Sequence, residues 1–245
     1  MQERKLERVI KVGLLGIIIV LLVWAYTAGA FQFIVDHPSD LIYLIQQHLK
    51  LVALSSMLAV AFAVPLGVLI TRPQFKKFDW IVMNFANIGQ TVPSLAILAL
   101  VMSYLGLGYK SAIFALWIYA LLPILRNTVA GIESVNSSII DAGKGMGMTQ
   151  SQILWKLELP NAFFAILAGI RTALVINVGT AALAFLVGGG GLGDLIFTGI
   201  SLVDTGIMLA GAIPVILLAV VLDFTLGTVE KIIIPKGLRR NLETI

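Results

Sequence analysis

The sequence predicts an all-α protein that lies in a membrane, and two observations support that prediction. Of the 245 residues, 59% are hydrophobic and only 12% are charged, whereas ordinary soluble domains carry about 25% charged residues. The apolar residues also form continuous runs of about the 20 residues that a helix needs to cross the bilayer core, rather than alternating as in an outer-membrane barrel. We therefore expect lipid to cover most of the surface.

Six apolar segments follow one another without a long soluble block, which predicts one membrane domain with about six transmembrane helices. The segments lie at 12–34, 49–71, 81–105, 111–131, 162–187 and 206–229. The first one has a basic start and contains Ala28-Gly29-Ala30, so a cleaved signal peptide is an alternative. A retained signal anchor is the better interpretation, because the apolar run continues through Phe33 to Val35.

Basic residues indicate which side of the membrane each loop faces, because lysine and arginine collect in cytoplasmic loops. One set of loops and termini holds Arg4, Lys5, Arg8, Lys11, Arg72, Lys76, Lys77, Lys144, Lys156, Lys231, Lys236, Arg239 and Arg240. The opposite loops hold only Lys50 and Lys110. Both termini are therefore predicted to be cytoplasmic. This topology explains the net charge of +4, so no nucleic-acid partner is expected.

The segment from Asp36 to His48 is predicted to lie on the outer side, and it contains both histidines, His37 and His48. Their spacing is not typical of a metal site, and core or interface roles are favoured. The chain has no cysteine, which excludes disulfides and thiolate ligands.

The third span carries a polar stripe that ends in a proline. Asn84, Asn87 and Thr91 fall on one side of the predicted helix, Gln90 lies beside them, and Pro93 permits a kink because it frees a carbonyl. This pattern predicts a bendable helix that lines a path through the membrane. A polar helix–helix contact is the alternative, since membrane bundles use such contacts routinely.

A polar, glycine-broken segment separates the fourth and fifth spans, and we call residues 137–160 the elbow. Ser138 lies three residues before Asp141, which resembles a capping box and predicts the start of a short helix. Gly145 and Gly147 are expected to break that helix.

Thr149 and Gln152 form a second capping-box match, which predicts another short helix over 150–157. Pro160 cannot continue that helix but can begin the next one. From these residues alone, an ordinary solvated loop is an equally good interpretation of the elbow. The second helix is expected to expose one apolar stripe, formed by Ile153, Leu154 and Leu157.

The elbow resembles the EAA motif of permease subunits of binding-protein-dependent ABC importers. That motif reads E-A-A, three residues, G, nine residues, then I-x-L-P. Here the spacing is kept by Asp141-Ala142-Gly143, Gly147 and Leu157-Glu158-Leu159-Pro160. The departures are Asp for Glu, Gly for the second Ala, and Leu for Ile.

The resemblance implies that the elbow docks into a groove of a separate ATPase subunit. It also implies the type I importer fold of the methionine-importer permease, from about Lys50 to Asp223. The residues to which it assigns ATPase coupling are Asp141, Ala142, Gly143, Gly147, Thr149, Leu157, Leu159 and Pro160. Shorter stretches resemble permeases for glycine betaine, choline and related osmoprotectants, and they recur in methionine and phosphonate importers: Gln90–Ser94, Ala168–Arg171 and Gly188–Gly193.

Charged residues at membrane depth usually face a bundle interior or a cavity, because burying them in lipid is costly. Arg171 in the fifth span can pair with Asp223 in the sixth. A gate or path role and a purely structural role remain open for Arg171. Asn177 adds a similar polar surface to the fifth span, together with Thr172 and Thr180.

Taken with the resemblance, these features predict the permease subunit of an ABC importer in the bacterial inner membrane, and not an enzyme. The chain has no Walker motif, so ATP and Mg²⁺ are expected on the partner ATPase and no cofactor on this chain. The predicted parts are a signal anchor with its outer segment (1–48), the transport domain (49–235) and a cytoplasmic tail (236–245). The expected partners are two ATPase copies, a second identical or related permease, an extracytoplasmic binding protein and the bilayer.

The resemblance to osmoprotectant permeases implies that the cargo is a quaternary amine such as glycine betaine, carnitine or choline. An importer for another small solute, such as methionine or phosphonate, is the alternative. A secondary transporter is weaker, since no ion-coupling carboxylates or inverted repeat of broken helices stand out.

Overall fold

The computed structural model describes residues 20 and 23–233, except for the side chains of residues 231 and 233. This part of the chain is helical, as predicted. The helices are α1 (Ala30–Asp36), α2 (Pro38–Ile70), α3 (Asp79–Thr91), α4 (Ser94–Leu105), α5 (Tyr109–Glu133), α6 (Ser137–Gly145), α7 (Gln150–Ile153), α8 (Leu159–Thr180), α9 (Gly193–Leu202) and α10 (Thr205–Ile233). Short 3₁₀ segments occur at Lys76–Phe78 and Ala181–Val187, and a π segment at Leu154–Glu158.

Four helical stretches in the described residues are long and apolar enough to cross a membrane: Pro38–Ile70, Tyr109–Glu133, Gln150–Val187 and Thr205–Glu230. The pair Lys76–Thr91 and Ser94–Leu105 would be a fifth span if it is counted as one, although it is bent by 101°. Most of the predicted first span, 12–34, lies outside the described residues, as do both termini and the 236–245 tail. The cytoplasmic placement of the termini stays a prediction.

The helix α2 begins at Pro38, eleven residues before the predicted start of the second span at residue 49. Proline suits the first helical position, where its missing N–H is not needed. The segment from Asp36 to His48 is therefore mostly the first turns of a long helix, and the predicted boundary after residue 48 falls inside α2. His48 is fully buried there, and its Nε2 lies 2.9 Å from the carbonyl oxygen of Val178.

The predicted kink in the third span is a complete break between α3 and α4. Val92 is extended, with φ −74° and ψ 127°, as expected for a residue that precedes a proline. The Tyr119 hydroxyl of α5 donates a 2.8 Å hydrogen bond to the Val92 carbonyl, and Gln90 Nε2 donates to the Tyr119 carbonyl at 3.4 Å. The first bond occupies the Val92 carbonyl at the break, where no water replaces it. The second occupies the Tyr119 carbonyl, which has no helical donor because Pro123 lies four residues further along α5.

Small residues bring α5 and α8 into direct backbone contact. A Cβ placed on Gly131 would lie 2.7 Å from the Cβ of Ala165, and one on Gly169 would lie 2.6 Å from the Cβ of Asn127 and 2.9 Å from the carbonyl oxygen of Pro123. Membrane helices associate largely through such close packing, because lipid provides no hydrophobic force between them.

A glycine loop, residues 188–193, closes the end of the bundle away from the elbow, which we call the far end. Gly190 and Gly191 are left-handed, with φ 73° and 87°, a region that glycine enters without steric cost. The Gly191 N–H donates a 3.0 Å hydrogen bond to Gln47 Oε1 of α2. A Cβ on Gly190 would collide with the Gln47 side chain. The loop therefore packs directly on α2.

We predict that Gly169→Ala lowers the thermal stability of the purified protein, because the added methyl overlaps α5 and overpacking costs about 1–3 kcal/mol. Gly179→Ala is the matched control in the same helix, since a Cβ there meets nothing within 4 Å. The control should keep or raise the melting temperature. Equal melting temperatures for the two variants in detergent would contradict the packing described here.

Candidate functional site

The first helix of the elbow, α6, is capped by Asn136 and not by Ser138 as predicted. The Asn136 side chain accepts a 2.9 Å hydrogen bond from the Ser138 N–H. Asn136 has extended backbone angles, φ −56° and ψ 124°, whereas Ser138 already lies in the first turn. Asparagine caps helices as well as serine does, so the spacing of Ser138 to Asp141 was a misleading signal.

The turn after α6 depends on Gly147, as predicted, while Gly145 is the last residue of the helix. Gly147 has φ 75°, in the left-handed region that other residues enter at a cost. The turn is closed by two backbone hydrogen bonds, from Gly147 N–H to the Lys144 carbonyl at 2.9 Å and from Met148 N–H to the Gly143 carbonyl at 3.0 Å.

The predicted capping box of the second elbow helix is confirmed. The Thr149 N–H donates to Gln152 Oε1 at 2.8 Å, and the Gln152 N–H donates to Thr149 Oγ1 at 3.3 Å. Two free N–H groups at the start of α7 are thereby satisfied.

The predicted end of that helix near residue 157 is wrong. The chain continues through the π segment Leu154–Glu158 directly into α8, so one helical stretch runs from Gln150 to Val187. Pro160 lies in the first turn of α8, where a proline is tolerated. Asn161 Nδ2 supplies an extra donor to the Leu157 carbonyl at 2.6 Å.

The apolar stripe that was expected to be exposed forms the elbow's own small core. Ile153 is only 1% exposed, and Leu154 and Leu157 are half-buried. Gly143 is buried against them, and a Cβ there would lie 2.7 Å from Leu157 Cδ1 and 3.3 Å from Met148 Sδ. Glycine at this motif position therefore lets α6 pack closely on the following helix.

The outer surface of the elbow carries apolar side chains that the sequence analysis missed. Met146 is 73% exposed, Trp155 is 68% exposed and Ile139 is 38% exposed. The available signal was the presence of large apolar residues inside an otherwise polar segment. Large apolar side chains that are exposed on such a segment suit contact with another apolar surface. The exposed motif residues of the elbow are Asp141, Ala142, Gly147, Thr149 and Pro160, whereas Leu157 and Leu159 are half-buried.

The polar residues predicted to line a path on α3 are bonded mainly within their own helix. Asn84 Nδ2 donates to the Trp80 carbonyl and Thr91 Oγ1 to the Ile88 carbonyl, each at 2.8 Å. Asn87 and Pro93 are exposed. The structure thus leaves these groups at the surface of one chain, and their role in a path stays a prediction.

The predicted Arg171–Asp223 pair is present between α8 and α10. Arg171 donates from Nε and Nη2 to the two carboxylate oxygens of Asp223, at 2.7 and 2.8 Å, and from Nη1 to Glu230 at 3.3 Å. Gly227 makes room for the guanidinium, since a Cβ there would lie 2.8 Å from Nη1. Glu230 was missed because it follows the predicted end of the span. These groups border an open cavity of about 330 Å³.

Asn177 is fully buried between α8 and α2. Its Nδ2 donates to the hydroxyl oxygens of Ser55 and Ser56, each at 3.1 Å. A side chain enclosed in this way lines no path in this structure, and it joins two helices instead. Among the described residues, no hydrogen bond connects the polar group of α3 with Arg171 or Asn177.

Residues 63–234 match the family described as binding-protein-dependent transport system inner membrane component. The choline transport system permease protein OpuBB of Bacillus subtilis (strain 168) is 44% identical over 85% of this chain and 95% of that protein. The glycine betaine/carnitine/choline transport system permease protein OpuCB of the same strain is 44% identical over 84% and 94%. The osmoprotectant import permease protein OsmY of Salmonella typhimurium is 49% identical over 77% and 80%.

The fold is similar to that of a chain in the inward-facing MetNI methionine ABC transporter. The TM-score is 0.73 at 23% sequence identity, and the match covers 81% of this chain and 99% of that chain. The predicted methionine-importer-like permease fold is therefore confirmed.

We predict that Gly143→Val loosens the elbow, because the added atoms overlap Leu157 and Met148 and overpacking costs about 1–3 kcal/mol. Limited trypsin digestion in detergent should then cut faster after Lys144 and Lys156. Gly145→Val carries the same β-branched residue in the same helix, but a Cβ there meets nothing within 4 Å. Equal digestion rates for the two variants would contradict the proposed packing.

Proposed function

Since the chain belongs to the family of binding-protein-dependent transport system inner membrane components, we propose that it is the permease through which an ABC importer carries quaternary-amine osmoprotectants. It is a multi-pass protein of the bacterial inner membrane and not an enzyme. The observation that carries the cargo assignment is the 44% identity to two permeases named for choline, glycine betaine and carnitine, over 95% and 94% of their lengths.

The proposed assembly contains two copies of a separate ATPase, which bind ATP and Mg²⁺, a second permease and an extracytoplasmic binding protein. Two features of the structure support partners of this kind. The elbow presents exposed Met146 and Trp155 at one end. The polar groups of α3 and the Arg171 cluster remain separate within one chain, as expected if a second permease completes the path.

The proposed mechanism begins at the elbow. When ATP closes the ATPase dimer, the elbow is displaced, and the helical stretch from Gln150 to Val187 carries that displacement into the membrane. The contacts of Gly169 with α5 and of Arg171 with α10 make these spans move together. ATP binding opens the path outward, the binding protein delivers its ligand there, and hydrolysis returns the path to its inward-facing state, which is alternating access.

Cargo selectivity is assigned mainly to the binding protein. Quaternary ammonium groups are normally recognised by aromatic cages through cation–π attraction, and the permease needs only to pass the released ligand. Importers for methionine or phosphonate are weaker candidates, because the three relatives described above are named for osmoprotectants.

The cargo is tested by reconstituting the chain with its ATPase and binding protein in liposomes. We expect ATP-dependent uptake of radiolabelled choline, glycine betaine or carnitine, and competition by an excess of the others. Methionine is the control solute and should not be accumulated. ATP-dependent uptake of methionine but of no quaternary amine would refute the proposed cargo.

We predict that Gly147→Val abolishes uptake and the stimulation of ATP hydrolysis by the loaded binding protein, while membrane insertion stays intact. A valine in the left-handed region costs about 1–2 kcal/mol and distorts the turn on which the docking surface depends. Gly29→Val is the matched control outside the elbow, because both glycines have positive φ, 75° and 81°, and open space around Cβ. Normal uptake by the Gly147→Val complex would contradict the proposed coupling role of the elbow.

A further inference from the structure

A largely buried ion pair joins the end of α2 to the elbow. Arg72 Nη2 lies 2.5 Å from Glu158 Oε2, and the two side chains are only 15% and 14% exposed. Nearby, Lys76 and Glu133 form a pair of another kind, at 3.5 Å with 67% and 46% exposure. Exposed pairs of that kind contribute little, whereas breaking a buried pair leaves an uncompensated charge.

The guanidinium of Arg72 is held in place before it meets Glu158. Its Nε donates to the Val68 carbonyl at 3.2 Å and its Nη2 to Thr71 Oγ1 at 3.0 Å. Thr71 Oγ1 itself donates to the Val68 carbonyl at 2.8 Å. Arg72 is thus fixed to the last turn of α2, with its Nη2 beside the Glu158 carboxylate.

Glu158 is the last residue of the π segment and lies between the two motif leucines. Leu157 packs against Gly143 in the elbow, and Leu159 packs against Ile132 and Ala162. A π turn takes in an extra residue and changes the direction of the side chains around it. The π segment therefore lets Glu158 turn toward α2 while both of its neighbours face apolar partners.

The same two helices, α2 and α8, are also joined toward the far end. Asn177 binds Ser55 and Ser56, and His48 binds the Val178 carbonyl. Contacts at residues 177–178 and at Glu158 therefore tie α2 to this helical stretch near both ends. Only the second contact touches the elbow.

We propose that the Arg72–Glu158 pair is a strut through which the elbow moves α2 together with α8. Both are positioning residues, since the proposal has them act through the elbow and α2. The inference rests on the proposed function, because it assigns to this pair a part in coupling ATP hydrolysis to uptake. A pair that serves only stability would not change the amount of cargo carried per ATP.

The test compares Arg72→Gln and Glu158→Gln with the exchanged double variant Arg72→Glu/Glu158→Arg, each in the full transporter complex in liposomes. Choline uptake, ATP hydrolysis and melting temperature are measured for each. Each single variant should lower the amount of choline taken up per ATP hydrolysed by about tenfold. This is the size of coupling measured between two contacting residues. The exchanged double variant should recover most of the lost uptake per ATP. Basal ATP hydrolysis should persist in all three variants.

Lys76→Gln and Glu133→Gln are the matched controls, because they remove the exposed pair at the same end, and they should behave as wild type.

Unchanged uptake per ATP in folded Arg72→Gln and Glu158→Gln complexes would overturn the strut. If these variants do not fold, Glu158→Asp, which keeps the charge but shortens the side chain, decides: reduced uptake per ATP supports the strut and normal coupling overturns it. Failure of the wild-type complex to take up any quaternary amine would instead refute the proposed function.

Discussion

The unbroken helix from Gln150 to Val187 is the constraint on which the rest of this structure depends. Inside lipid, a helix must keep its backbone hydrogen bonds, because no water replaces them. Under the proposed function, a displacement of the elbow would therefore reach the span as a displacement of this whole helical stretch. The other helices are attached along that stretch at Glu158, Gly169, Arg171 and Asn177.

Several polar side chains in the described part of the chain attach one helix to another, whereas many others bond within their own helix. Asn177 and Arg171 are engaged by α2 and α10, and Tyr119 secures the break between α3 and α4. Such contacts replace the hydrophobic force that lipid cannot supply.

Features that depend on spacing could be predicted from the sequence. The elbow, the Thr149–Gln152 capping box, the turn at Gly147, a bend at Pro93 and the Arg171–Asp223 pair were all visible in this way. Each follows from a local rule or from opposite charges in neighbouring apolar segments.

Features that depend on which faces of the helices pack against each other could not be predicted from the sequence. The polar residues around His48 interrupt the apolar run, so the sequence did not show that α2 begins before them. The length of an apolar run does not reveal that a polar side chain is buried against another helix. Ile153 was expected to be exposed, since the sequence does not show that α6 folds back over it. The Arg72–Glu158 pair joins residues 86 positions apart, and no sequence pattern relates them.

The central claim is that the elbow and α8 move as one body, and a distance measurement tests it most directly. The chain has no cysteine, so spin labels at Ser151→Cys and Gly179→Cys would be the only ones on it. In the uptake-competent complex their separation, about 42 Å for 28 helical residues, should stay the same with and without ATP. The separation between labels at Ser151→Cys and Gly89→Cys on α3 should change. If ATP shortens the first distance and leaves the second unchanged, the helix bends instead of moving as a rod, and the account is contradicted.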